Sequence, residues 1–364
     1  MKKILIYGGS FDPIHNGHIK VAQRVKTALG IDKVVFELAS SPRWKSPIVD
    51  SKHRLNMLKM ALEPYKDFEY DLFEYNSKEE INYSYHTALY FKEKYPKDKL
   101  FMLIGYDQVN KLHDWYEVDK LSKLVNIVAY NRKEKEELNT KNIKKYNVTI
   151  ISGPFYDVSS TDVRNFNSID VDSNVLSYIL NNRLYFASKV QKYMSEQRYA
   201  HSVEVALLAL IIAKNNKVNR LKTFKAALLH DIGKEVDVEF NNKIMNKYFK
   251  EYCDLPKFSN HQFVGSYLAK HDFEIKSKEV VEAIKYHATG NSNMSRIAKI
   301  IYAADKIEPT RGFDSSELIK EVVEDLETGF VKVLDANREF LLEHRGDINN
   351  RLTYACMKQY LNIK

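Results

Sequence analysis

Lys2-Lys3-Ile4-Leu5-Ile6-Tyr7-Gly8-Gly9-Ser10-Phe11-Asp12-Pro13-Ile14-His15-Asn16-Gly17-His18 runs from a short apolar stretch through a glycine pair into a helix start. Lys2 to Tyr7 reads as a buried strand. Gly8 and Gly9 let the backbone approach a ligand closely, and a helix opening after Pro13 aims free N–H groups and its positive dipole end at an anion. His15 and His18 are three apart and share one helix face. Imidazoles placed there donate hydrogen bonds to phosphate oxygens and to charge developing in a transition state, without acting as nucleophiles. A nucleoside triphosphate suits such a place.

The Gly-Gly-Ser-Phe-Asp-Pro-Ile-His-x-Gly-His string resembles the HxGH nucleotidylyltransferases, in the form of the nicotinate-nucleotide adenylyltransferase family. The resemblance extends over about the first 185 residues and implies a doubly wound parallel α/β sheet. It implies that Gly8, Gly9, Ser10, Phe11, His15 and His18 bind ATP together with a second signature, Ser159-Ser160-Thr161-Asp162-Val163-Arg164. In physical terms, Ser159 or Ser160 caps a helix while Arg164 offers a planar fork to a phosphate.

The same resemblance assigns the second substrate, nicotinate mononucleotide, to the middle of this half. Ser41-Pro42-Arg43-Trp44-Lys45 stands where the family has a phosphate-binding loop, so Lys45 is the phosphate contact there. Arg54 and Met57 match the residues opening the next helix. Asn82-Tyr83-Ser84-Tyr85-His86-Thr87 corresponds to the family's carboxylate-recognising motif, giving Tyr83 and Ser84 that role. Asp107, in Ile104-Gly105-Tyr106-Asp107, suits ribose hydroxyls or a metal-bound phosphate, and Trp115 stacks on the pyridine ring. The implied reaction is in-line attack of the mononucleotide phosphate on the α-phosphorus of ATP. His15, His18, Lys45, Arg164 and Mg2+ position the groups and neutralise charge. Other acceptors, including the amidated mononucleotide, stay open.

At 364 residues the chain has room for a second domain. Asn165 to Asp172 is polar, Val175 to Phe186 reads as a closing helix and terminal segment, and the junction is placed near Ala187, giving units 1–186 and 187–364. No Pro, Gly or Ser tract separates them, which predicts a tight link. Beyond Lys189 the periodicity becomes helical almost throughout, predicting an all-α unit.

Each apolar stretch of this half carries a candidate metal ligand: His201, the pair His230 and Asp231, His261, His287 and Asp305. Imidazoles and carboxylates from separate helices can surround one or two metals, with an aspartate bridging. Two further His-Asp dipeptides, His113-Asp114 and His271-Asp272, are read as chance. The strings His-Asp-Ile-Gly-Lys-Glu and Ala-Asp-Lys-Ile-Glu-Pro-x-Arg resemble the HD-domain phosphohydrolases, especially the YqeK group. That resemblance implies a dinuclear iron or manganese site that splits diadenosine tetraphosphate into two ADP, with Asp231 catalytic. Lys234, by charge, and Arg311, by family position, contact its phosphates. A non-catalytic nucleotide-sensing module, or a hydrolase of another nucleotide, is the alternative.

The formal charge of +8 suits polyanionic substrates. No nucleic-acid fold signature accompanies it, and Lys133 to Lys145 reads as a solvated segment. The two cysteines, Cys253 and Cys356, form no framework, which points to a reducing cytoplasm. No apolar span of membrane length and no internal repeat is present; the oligomeric state is left open.

Overall fold

The apolar run at the N-terminus forms the centre of a six-stranded parallel sheet. In the computed structural model, which describes residues 1–39, 48–77, 82–131, 139–345 and 350–363, the strands are β1 (Lys3–Gly9), β2 (Lys33–Leu38), β3 (Phe68–Asp71), β4 (Lys99–Gly105), β5 (Asn126–Asn131) and β6 (Thr149–Ser152). Their order is β3-β2-β1-β4-β5-β6, and every neighbouring pair is parallel. Ile4, Leu5 and Ile6 of β1 are at most 1% exposed. A parallel sheet covered on both faces calls for such uninterrupted apolar runs rather than alternation. Between β1 and β4 the winding reverses, and the carboxyl ends of those strands open a crevice in sheets of this order. Gly8 and Gly9 end β1 and Gly105 ends β4, so the glycine pair sits at that crevice.

The helices that carry site residues or core are numbered in chain order: α1 (Asn16–Leu29), α2 (Ser51–Leu62), α3 (Ser84–Lys94), α4 (Ser160–Arg164), α5 (Glu196–Asn215), α6 (Arg220–Leu229), α7 (Asn260–His271), α8 (Lys278–Lys285), α9 (Arg296–Ile307), α10 (Ser316–Glu324), α11 (Leu326–Arg345) and α12 (Arg351–Leu361). From α5 onward no strand occurs among the described residues. Helix α5 packs on α6 and α9, and α8 packs on both α6 and α9. Ala206, Ala209, Ala226, Ala227, Ala303 and Ala304 are fully buried along these contacts, and small side chains allow the axes to close. The Ser195 hydroxyl accepts from the Arg198 N–H to start α5, and Ser295 does the same for Ala298 in α9.

The chain forms two compact units, Met1–Ile179 and Leu180–Lys364. This division falls before the junction read near Ala187. Leu180 to Phe186 belongs to the helical unit because the Tyr199 hydroxyl donates to the Leu180 carbonyl at 2.8 Å and Phe186 meets Phe224 edge-on. Among the described residues no helix is long and apolar enough to cross a membrane.

Candidate functional site

Two cavities adjoin at the switch point of the sheet. One, of about 290 Å³, extends from Gly8, Gly9, Ser10 and Gly105 to Tyr83, Ser84 and Trp115. The other, of about 190 Å³, extends from the same floor to Phe11 and His18. Of the expected acceptor residues, Tyr83, Ser84 and Trp115 line the first cavity; of the expected triphosphate residues, Phe11 and His18 line the second, and Gly8, Gly9 and Ser10 line both.

His15 caps α1, and its backbone N–H donates to His18 Nδ1 at 3.2 Å. The two imidazoles face one another with centroids 3.7 Å apart. Gly17 between them is required by space: an added Cβ would lie 2.8 Å from Val158 Cγ1 and 2.9 Å from His15 Nδ1. The intervening glycine thus lets the His15 ring lie over the first turn of the helix.

The second signature braces the first. Ser159 caps α4 by accepting from the Asp162 N–H at 3.0 Å, and the Ser160 hydroxyl donates to the Pro13 carbonyl at 2.9 Å. Arg164 is buried; it donates to the Asp12 carbonyl at 2.5 Å and to the Thr161 hydroxyl at 2.8 Å. Two of its N–H groups are therefore spent inside the protein, holding the loop that leads to His15. Asn16 closes the same arrangement, bonding the Asp170 side chain at 2.7 Å and its carbonyl at 2.9 Å. On the opposite side of the loop, the fully buried Arg54 donates to the carbonyls of Ser10 and Ala39 at 2.8 and 2.7 Å. Asp107 is exposed at the end of β4, bonded to Gln108 and outside the linings of both cavities. Lys45 lies outside the described residues.

Two carboxyls beside the larger of these cavities escaped the sequence reading. Glu37 is wholly buried and accepts from the Glu74 N–H at 2.8 Å; burial pushes its carboxyl up to about 8. Glu74 lines the cavity, accepts from the Thr87 hydroxyl at 2.6 Å, and is likewise raised by burial. Neither position stands out in sequence, because a glutamate near a strand end or in a one-turn helix usually faces water.

In the helical unit, all six expected ligands converge. His261 Nε2 and His287 Nε2 each lie 3.4 Å from Asp231 Oδ1. His230 Nε2 lies 3.8 Å from Asp231 Oδ2 and 3.5 Å from Asp305 Oδ1, and His201 Nε2 is 3.2 Å from Asp305 Oδ1. Asp231 thus belongs to two clusters capable of holding a metal, one with His201 and His230 and the other with His261 and His287.

The other ring nitrogens are tied down. Nδ1 of His230, His261 and His287 meets the carbonyls of Ala227, Phe258 and Ile284 at 2.6, 2.6 and 2.8 Å, each three residues earlier. Nδ1 of His201 meets Glu308 Oε1 at 3.1 Å. A nitrogen held as a donor in this way leaves Nε2 as a lone-pair ligand. His230 Nε2 has no hydrogen-bond partner although fully buried. Burial, reinforced by His287, pushes the His261 imidazole down to about 3, so it is neutral and able to coordinate. Burial alone would raise the Asp231 carboxyl, but His230 and then His287 hold it well below the usual range. The nitrogen and oxygen donors, their inward orientation and the unpartnered Nε2 fit a divalent transition metal.

Gly233 follows the His-Asp pair because α7 passes against it: a Cβ there would meet the His261 carbonyl at 2.4 Å. Four cations ring the centre. Arg311 bonds Asp305 Oδ1 at 2.5 Å, Lys306 Nζ lies 3.1 Å from Asp305 Oδ2, and Arg198 donates to Asp231 Oδ2 at 2.8 Å. Lys234 Nζ is 3.4 Å from His261 Nδ1. Sequence reading named Lys234 and Arg311 but missed Arg198, Lys306 and Glu308. Glu308 had one visible sign, its place three residues after Asp305 in the same string.

Residues 6–166 match the cytidylyltransferase-like family and residues 198–310 match the HD domain. The class is therefore a nucleotidylyltransferase joined to an HD-domain unit. A Legionella pneumophila protein named as a probable nicotinate-nucleotide adenylyltransferase is 33% identical over 211 residues, covering 51% of this chain and all of the relative. The chain belongs to the nicotinate-nucleotide adenylyltransferase family. It is also similar along its length to a Mycoplasma genitalium protein named as a probable nicotinate-nucleotide adenylyltransferase/Ap4A hydrolase, at 29% identity, covering 92% of this chain and 97% of the relative. The structure of a predicted HD superfamily hydrolase from Clostridium acetobutylicum is 30% identical, with a TM-score of 0.43, covering 49% of this chain and 97% of that one.

Proposed function

We propose that the chain is a bifunctional enzyme in which the N-terminal unit transfers AMP from ATP to nicotinate mononucleotide and the HD unit splits diadenosine tetraphosphate into two ADP. The pair of cavities sharing one glycine floor carries the first reading: two nucleotides bound on either side meet at Gly8 and Gly9. The acceptor lies along Tyr83, Ser84 and Trp115, with Asp107 at the rim. The triphosphate lies toward Phe11, His15 and His18, against the positive end of α1. Attack of the acceptor phosphate on the α-phosphorus expels pyrophosphate, and no enzyme nucleophile is needed. His15 and His18 donate to the phosphate oxygens as charge shifts to the leaving group, while Ser159, Ser160, Thr161 and Arg164 hold the loop that aims them. Lys45 adds charge to the acceptor phosphate. Mg2+ accompanies ATP.

For the HD unit the supporting observation is Asp231, whose two oxygens reach the two clusters. His201, His230, Asp231, His261, His287 and Asp305 would hold two metals, iron or manganese, and that pair would supply hydroxide at neutral pH. Lys234 and Arg311 steady the polyphosphate beside them. ATP, the mononucleotide and the dinucleoside polyphosphate are the partners, in the cytoplasm.

Chromatography of products from the full chain tests both readings. ATP with Mg2+ and the acid or amide mononucleotide should give the deamido dinucleotide preferentially. Diadenosine tetraphosphate with Mn2+ should give ADP alone; AMP plus ATP would overturn symmetrical cleavage, and no product would overturn the hydrolase reading.

A further inference from the structure

Beside the metal cluster lies a cavity that the reaction scheme leaves unused. It has a volume of about 420 Å³, and its walls include Lys306, Arg311, Phe313, Val333, Asn337 and Phe340. Its polar edge is continuous with the cluster: Arg311 Nε donates to the Asp305 carbonyl at 2.7 Å, and Lys306 Nζ lies 3.2 Å from the His287 carbonyl. Its far wall is apolar and comes from α10 and α11, helices that supply none of the six ligands. Phe313 and Phe340 are each 52% exposed although both line a concavity. Two aromatic rings left half in water on one cavity constitute binding surface.

We infer that this cavity is the nucleobase subsite of the HD unit, taking one base of the nucleotide whose phosphates reach Asp305 across Arg311 and Lys306. The inference rests on reading that unit as a nucleotide hydrolase, and adds where its substrate is recognised. An aromatic side chain stacks on any base, because every base has a π face, and the neighbouring cations then meet the phosphates. Phe340 is already backed by His344, with centroids 4.3 Å apart and planes 22° from parallel, which stiffens it as a platform. Asn337 is fixed on the same wall by donating to the Tyr302 hydroxyl at 2.9 Å, leaving its carbonyl oxygen to accept from an amino group. A cavity of this size holds a base and ribose, not a whole dinucleotide. The second nucleoside of a symmetrical substrate therefore lies outside it.

Photolabelling of the manganese-loaded full chain with 8-azido-ADP, followed by peptide mapping, tests the site without relying on turnover. Label is expected on peptides containing Phe313 or Phe340, with protection by ADP but not by pyrophosphate. Phe313→Ala with Phe340→Ala should raise the ADP concentration for half-protection about tenfold or more, while Phe340→Trp retains it. These half-exposed positions leave the fold intact. Label confined to residues 1–179, or protection unchanged in the double variant, overturns the subsite. Hydrolysis of diadenosine tetraphosphate, assayed separately on the same preparation, decides the enzymatic reading: label without hydrolysis keeps the subsite and sinks the hydrolase, and hydrolysis without label does the reverse.

Discussion

Gly17→Ala isolates the reason for a glycine between the two histidines. The added methyl would stand 2.8 Å from Val158 Cγ1 and 2.9 Å from His15 Nδ1, both closer than real Cβ atoms come. Neither neighbour has an easy retreat, since His15 is buried and stacked on His18 while Val158 leads directly into the cap of α4. Overpacking of this kind costs about 1–3 kcal/mol, and alanine in a helix returns about 0.4–1 through the unfolded chain. The net loss of stability is about 1–2 kcal/mol. Displacement of the His15 ring is the larger consequence, because a misplacement of about 1 Å at a reacting centre can cost about a hundredfold in rate. The assay is dinucleotide formation from saturating ATP and nicotinate mononucleotide, beside urea unfolding followed by tryptophan fluorescence. Both tryptophans, Trp44 and Trp115, precede residue 180, so that signal follows the N-terminal unit alone. Gly8→Ala is the control: its Cβ meets nothing within 4 Å, so stability holds while the methyl intrudes on bound substrate and raises KM. Wild-type turnover in Gly17→Ala would refute the argument from spacing.

Asp231→Asn should lower metal content by both measures of stoichiometry and anomalous scattering and abolish hydrolysis while leaving adenylyl transfer intact, because one carboxylate serves both clusters; metal analysis of the purified variant checks it. Arg54→Met strands the carbonyls of Ser10 and Ala39 and should destabilise the N-terminal unit by about 2–4 kcal/mol, read from tryptophan unfolding. Glu37 gives that unit a pH signature. An unfolded Glu37 ionises near 4.5 and the folded one only near 8, so stability falls across that window by about 1.4 kcal/mol per unit and the difference vanishes below it. Glu37→Gln should flatten the decline, and equal slopes in variant and wild type would contradict the assignment.

The doubly wound sheet was legible because its strands are buried on both faces, so their apolar runs carry the signal without help from distant residues. The Gly8 to His18 string was legible for a different reason, since each residue answers a local demand of strand end, helix start or close approach. Ligands just past a helix end, such as His230 and Asp231, were visible as polar residues closing apolar stretches. Arg198, Lys306 and Arg54 were harder, because a basic residue on a helix usually faces water and only the packed fold shows which oxygen it meets. Arg164 shows the opposite limit. Its type and spacing suggested a phosphate contact, but the fold turns two of its donors onto the Asp12 carbonyl and the Thr161 hydroxyl.

The ties from Arg164 to Asp12, Ser160 to Pro13 and Asn16 to Asp170 join positions about 150 residues apart in one unit. During synthesis, β1 can pair with β2 and β4 as soon as those strands leave the ribosome, and Arg54 can hold Ser10, yet the Asp12, Pro13 and Asn16 side of the loop stays unbraced until α4 and Asp170 follow. A nascent chain ending before Ser159 therefore has the loop held on its Ser10 side alone. The bracing of this loop is therefore completed last in the unit.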